Sequence, residues 1–230
     1  RTDAQRNVQE RALNFASEFN EVIPQAEVRL GLYVNGNVSS STVELVGYSL
    51  SPEQAKQVLT ARMQLPTWSS MAFENDEAYT AVATQEAFRV QTSLETVQDV
   101  SGYATVRLPK GLSSGFYAIK LTAPGLPSRW AFIQSTRIAS YTVADAQNIL
   151  VWAVNAEAKT RLSRVLVQSE AGSALTNENG IAELPAPQHA TDTTIDAGGR
   201  EAQILTLQNE TDQAFVALSD DRPLFRSYMD

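Results

Sequence analysis

Residues 111–121 read Gly-Leu-Ser-Ser-Gly-Phe-Tyr-Ala-Ile-Lys-Leu, a glycine-bounded turn that runs straight into an alternating strand. A second β-rich stretch, Asn148-Ile149-Leu150-Val151-Trp152-Ala153-Val154, follows shortly after. The first pattern closes a small β-sandwich and the second opens another. A chain of 230 residues has room for two such domains of about 100 residues each. Two sandwiches on a short connector make a piece of a modular scaffold. No active-site motif stands out, so the expected role is mechanical or binding, within a larger assembly.

Strand signals recur along the chain. Residues 26–35 alternate through Val28, Leu30, Leu32 and Val34, and residues 42–48 form the next run. Further strands are expected at 79–84, 88–94, 102–108, 115–121 and 130–134, spaced by turn residues in a sandwich rhythm. A smaller set follows at 149–154, 164–168, 181–184, 202–208 and 214–218, with a strong turn at Thr176-Asn177-Glu178-Asn179-Gly180. Residues 185–200 read as a long polar loop.

Two helices interrupt this pattern. Val8, Ala12, Phe15 and Phe19 fall on one helical face, so residues 3–20 are expected to be helical, with Asp3 as cap and an end near Pro24. Ser51-Pro52-Glu53-Gln54 opens a second helix to about residue 64, with Ser51 as N-cap and Gln54 completing a capping box. The expected fold class is mostly β: two tandem antiparallel sandwiches, an N-terminal helix and a short inserted helix. The expected boundaries are 1–24 (helix or linker), 25–136 (first sandwich), 137–220 (second sandwich) and 221–230 (linker to the next domain). Both ends read as cuts, as in an excised fragment.

Composition excludes several functions. Net charge is −8 and the 18 Lys and Arg are scattered, which disfavours nucleic acid and anionic membrane surfaces. The absence of cysteine removes disulfides, thiolate nucleophiles and Cys-based zinc sites. His189 is the only histidine, so a multi-His metal site is impossible, and no cofactor is expected. No apolar run is long enough to span a membrane.

The remaining candidates have plain readings. His189 lies near Asp192 and Asp196 without a nucleophile elbow, and reads as an exposed loop histidine. Glu74-Asn75-Asp76-Glu77 and the two aspartates do not match calcium-loop spacing. Gly198-Gly199-Arg200 lacks the strand–loop–helix context of a phosphate cradle. Asn37-Val38-Ser39 and Asn209-Glu210-Thr211 match the glycosylation pattern, which is frequent by chance. Trp130 and Trp152 sit in strands, which leaves Trp68 as the plausible exposed platform.

One family resemblance is carried by these residues. Leu108-Pro109-Lys110-Gly111-Leu112 followed by Gly115-Phe116-Tyr117 resembles the final hairpin of macroglobulin-like domains. Gln134-Ser135-Thr136-Arg137-Ile138-Ala139 leading into residues 149–154 is similar to the junction between sandwiches in bacterial alpha-2-macroglobulins. The 172–182 hairpin, Ile204-Leu205-Thr206-Leu207 and residues 212–218 resemble the strands that close the second domain there. The match covers roughly residues 100–220 and rests on packing and turn residues. It implies two macroglobulin-like sandwiches from a periplasmic, lipid-anchored protease trap. In that family a protease cuts a bait region, the molecule collapses, and a thioester often captures the attacker. The thioester needs a cysteine, so this chain cannot hold it, and no catalytic residue carries over.

The implied partners are neighbouring domains of the same longer chain and, through the parent, proteases. Trp130, Phe132, Tyr141 and Trp152 flank the junction and are the expected interdomain packing residues. Trp152→Ala is then expected to remove roughly 3–5 kcal/mol, as for a buried large-to-small change. The alternative is a carbohydrate-binding or adhesin-type sandwich using Trp68 or the 185–200 loop. A hydrolase would depend on His189.

Overall fold

The computed structural model describes residues 12–35, 42–63, 76–96, 102–109, 111–144, 147–186, 203–218 and 226–227. Period-two alternation builds the first unit from two facing sheets. One sheet has the order β1 (Ala12–Phe15), β3 (Arg29–Asn35), β7 (Tyr103–Arg107), β6 (Glu95–Thr96). The other has the order β18 (Arg226–Ser227), β2 (Phe19–Val22), β9 (Arg129–Ser135), β8 (Gly115–Thr122), β4 (Thr42–Leu50), β5 (Gln85–Ser93). β2 runs parallel to β9, and β18 parallel to β2. Leu30 and Leu32 of β3 and Val106 of β7 share one buried cluster with Val43, Leu45, Ile119 and Leu121 of β4 and β8.

The six-stranded sheet is covered on its other face as well. There Ala55, Val58 and Leu59 of α1 (Pro52–Met63) and Tyr79 and Val82 of α2 (Asp76–Val82) pack on Leu50, Phe116, Ala118, Trp130 and Phe132. All seven residues of β9 are buried, because Ala131 and Ile133 enter the first cluster while Trp130 and Phe132 enter the second. A strand buried on both faces shows an unbroken apolar run, as Trp130-Ala131-Phe132-Ile133 does. The α1 cap is reciprocal: Gln54 N donates to Ser51 Oγ at 3.2 Å and Ser51 N to Gln54 Oε1 at 2.8 Å.

The second unit is a smaller antiparallel sandwich. Its first sheet pairs β10 (Ile138–Ala144) with β11 (Asn148–Asn155), whose other edge takes β12 (Thr160–Arg161) and β15 (Ile181–Pro185). Its second has the order β14 (Ser173–Leu175), β13 (Leu166–Gln168), β16 (Gln203–Gln208), β17 (Gln213–Leu218). Ile149, Val151 and Ala153 of β11 face Val167, Leu205 and Leu207 in a third cluster.

Two expectations are corrected. The N-terminal helix is not present over 12–22, which forms β1 and β2; residues 1–11 lie outside the described residues. Leu13 and Phe15 alternate inward against β3, while Phe19 docks beside Phe132 of β9. Sheet edges offered by distant strands override a local helical spacing. The strand expected at 79–84 is instead the helix α2, whose Tyr79 and Val82 fall one turn apart on its buried side.

The turn expected at 176–180 is built by Asn177, whose Oδ1 accepts from Asn179 N at 2.9 Å and Ile181 N at 3.1 Å. Gly180 has φ +77°, and a Cβ there would lie 2.6 Å from the Ala153 carbonyl oxygen. Gly180→Ala meets backbone as well as a left-handed φ, and is expected to lower stability by about 2 kcal/mol. Thermal unfolding checks this; an unchanged Tm would show that the hairpin tip shifts freely.

Candidate functional site

The connector between the sandwiches is two residues, Thr136 and Arg137, and both are tied down. Thr136 N donates to Val22 O at 2.9 Å, and Thr136 Oγ1 accepts from Ile138 N at 3.1 Å. Arg137 Nε donates to Glu157 Oε2 at 2.8 Å, and its Nη1 lies 3.7 Å from Asp212 Oδ2. Asp212 belongs to the β16–β17 turn, where Asn209 Oδ1 accepts from Thr211 N and Asp212 N. The guanidinium therefore links the connector to both sheets of the second sandwich.

The seam itself has an aromatic half and a polar half. Phe215 of β17 and Ile204 of β16 enter the cluster formed by the first unit's helices and β9. Phe215 stacks on Phe116, ring centroids 4.7 Å apart, and Phe116 lies 6.2 Å from Phe132. Beside these rings, Gln134 is fully buried. Its Oε1 accepts from Phe215 N at 2.7 Å, and its Nε2 donates to Phe215 O at 3.3 Å and to Glu21 Oε1 at 3.0 Å. β17 pairs with β16 along one edge, and Gln134 acts on its other edge as a substitute for a neighbouring strand.

Glu21 sits next to Gln134 because β2 and β9 are in parallel register, Glu21 against Gln134. Burial pushes its carboxyl up to about 7, with the Gln134 hydrogen bond opposing part of that rise. Glu21 also lines a cavity of about 190 Å³ between the units, together with Val22, Glu27, Arg29, Thr136 and Ala139. The arrangement can hold two domains in one orientation. Among the described residues no group of three or more acidic, His or Cys side chains is set to hold a metal.

Two solved structures share this architecture. A fragment of native alpha-2-macroglobulin from Escherichia coli spanning domains MG0-NIE-MG1 matches with a TM-score of 0.64 at 12% identity, over 95% of this chain and 67% of that one. A fragment of the same protein spanning NIE-MG1 matches with a TM-score of 0.59 at 12% identity, over 91% of this chain and 97% of that one. The fold is macroglobulin-like. At this identity the likeness is one of fold. No protein-family model and no curated protein sequence matches the chain.

On this macroglobulin-like frame the four expected packing residues separate. Phe132 is fully buried among seam residues. Trp130 is buried too, but it faces the helices, stacked on Tyr79 at 5.4 Å with Lys120 Nζ 5.5 Å from its ring. Tyr141 and Trp152 are 68% and 43% exposed, cross-strand partners on the outer face of the β10–β11 sheet. Their expected place between the domains is corrected. Ile149, Val151 and Ala153 fill the core, so the period of two sends Leu150 and Trp152 outward. Trp152→Ala is now expected to change stability by less than about 1 kcal/mol. A chemical denaturation curve decides between this and the larger loss expected of a buried tryptophan.

Gln134, Glu21, Phe215 and Arg137 are the seam residues that the sequence reading missed. A signal for Gln134 exists: it is the polar residue that continues the face of Trp130 and Phe132 in a buried strand. His189, Trp68, Asn37, Glu74, Asp192, Asp196 and residues 198–200 lie outside the described residues. No helix among the described residues is long and apolar enough to cross a membrane.

Proposed function

We propose that the chain is a non-catalytic scaffold portion of a bacterial alpha-2-macroglobulin-like protease trap. In this reading the helix-bearing first unit stands where NIE stands and the second sandwich where MG1 stands. The observation that carries it is that one superposition spans 95% of the chain, both units and the seam included. The role assigned to the fragment is rigid spacing: a two-residue connector, an aromatic cluster and a buried amide fix one domain against the next. The trap's partners are the parent's neighbouring domains and, through the parent, attacking proteases. The proposed location is the periplasm, with the parent held at the membrane by a lipid. A thioester, where the parent has one, lies outside this cysteine-free chain.

The test compares two sizes of substrate. The longer chain, incubated with a broad-specificity protease, is expected to protect a large protein substrate while a small peptide substrate is still cut. The fragment alone is expected neither to cut nor to inhibit. Hydrolysis by the fragment that is lost in His189→Ala would replace this reading with an enzyme, and glycan binding by it would replace it with a carbohydrate-binding module.

A further inference from the structure

The two N–H donors of the Gln134 amide are shared between the two sandwiches' contact and a carboxyl. Its Nε2 serves both the Phe215 carbonyl at 3.3 Å and the Glu21 carboxyl at 3.0 Å. The first contact joins the two sandwiches; the second stays within the first unit's sheet. Glu21 also borders the cavity between the units, so there is room for its carboxyl to gain water if the seam loosens. We propose that Glu21 and Gln134 form a proton-controlled latch, in which a neutral Glu21 keeps the second sandwich seated and an ionised Glu21 releases it.

The surroundings favour this role. The carboxyl's hydrogen-bond partner on β9, Gln134, is neutral, and the same amide bonds the Phe215 backbone of β17. The cavity's other charges, Glu27 and Arg29, are bound among themselves, with Arg29 to Glu27 at 3.4 Å and to Glu95 at 3.0 Å. Glu27 also reaches Arg107 Nε at 3.3 Å. Arg137, the cation at the connector, is held by Glu157 and Asp212. On β2's outer side the register partner is Ser227 of β18. Arg29 and Arg137 are thus each held by carboxylates and Gln134 is neutral, so ionisation leaves a partly desolvated carboxylate in the seam.

The sign follows from where the proton sits. The seated state holds the carboxyl at about 7, against an ordinary 4.5. Below the lower value both states are protonated and the latch is fully closed. Between the two, the seated state holds the proton that the released state gives up, so the latch weakens as pH rises. Above about 7 both are ionised and the weakening is complete.

The experiment is amide hydrogen exchange on the whole chain at pH 6 and pH 8, corrected for the intrinsic rates. Protection of the Phe215 amide is expected to fall about tenfold between the two pH values. The Leu207 amide, in the core of the second sandwich, keeps its protection. In Glu21→Gln, which stays neutral throughout, Phe215 protection is expected to be equal at both. A wild-type Phe215 amide indifferent to pH overturns the latch, as does the same fall in Glu21→Gln. An equal fall at Leu207 also overturns it, since that would be global unfolding rather than release of one contact.

Discussion

Phe132→Ala is expected to lower the unfolding free energy by roughly 3–5 kcal/mol, the range for truncating a buried phenylalanine. The side chain is fully buried, 5.8 Å from the Phe19 ring and 6.2 Å from Phe116, which itself stacks on Phe215. These rings come from β2, β9, β8 and β17, and the same cluster takes in both helices. A cavity there opens where the two units meet, and neighbours fixed from five directions have little freedom to fill it. A urea titration followed by tryptophan fluorescence should show a lower midpoint with an unchanged slope. A loss under about 1 kcal/mol would mean that the rings are not close-packed.

Gln134→Leu is the second large effect, at roughly 3–5 kcal/mol measured at pH 6. Leucine nearly preserves the volume, so the loss reports polar groups rather than a void. The substitution strands the Phe215 N–H and C=O, each at about 1–3 kcal/mol, and takes the donor from Glu21. The expected signature is a destabilised seam with far-ultraviolet circular dichroism unchanged at low denaturant. Near-neutral stability would show that water replaces the amide and that the edge of β17 needs no partner.

Much of the architecture was legible wherever the pattern was local. Alternation in β3, β11 and β15 identified strands and their inward residues, and Ser51 with Gln54 marked the start of α1. The turn at 176–180 announced itself by composition. What failed depended on distant partners. Residues 12–22 carry spacing compatible with a helix, and only β3 and β9 draw them into strands. Tyr79 and Val82 suit a strand or a helix, and the stack on Trp130 selects the helix. At the seam, aromatic residues near the junction suggested packing, but proximity in sequence does not set a side chain's face. Tyr141 and Trp152 lie close to the connector yet point outward, whereas Phe215, 81 residues from Gln134, closes the contact.

The parallel pairing of β2 with β9 has a consequence for how the chain reaches its fold. Glu21 and Gln134 are 113 residues apart, so β2 has no partner strand on this side until β9 has been made. On a ribosome, with synthesis at about 5–20 residues per second, that is a wait of many seconds with Phe19 uncovered. Hairpins such as β16–β17 and β8–β9 close between neighbours, but the β4–β8 and β2–β9 pairings of the central sheet are long-range closures, which are slow. The nascent first unit is thus the stage at which this protein most needs a chaperone, and truncations ending before residue 129 should aggregate rather than fold.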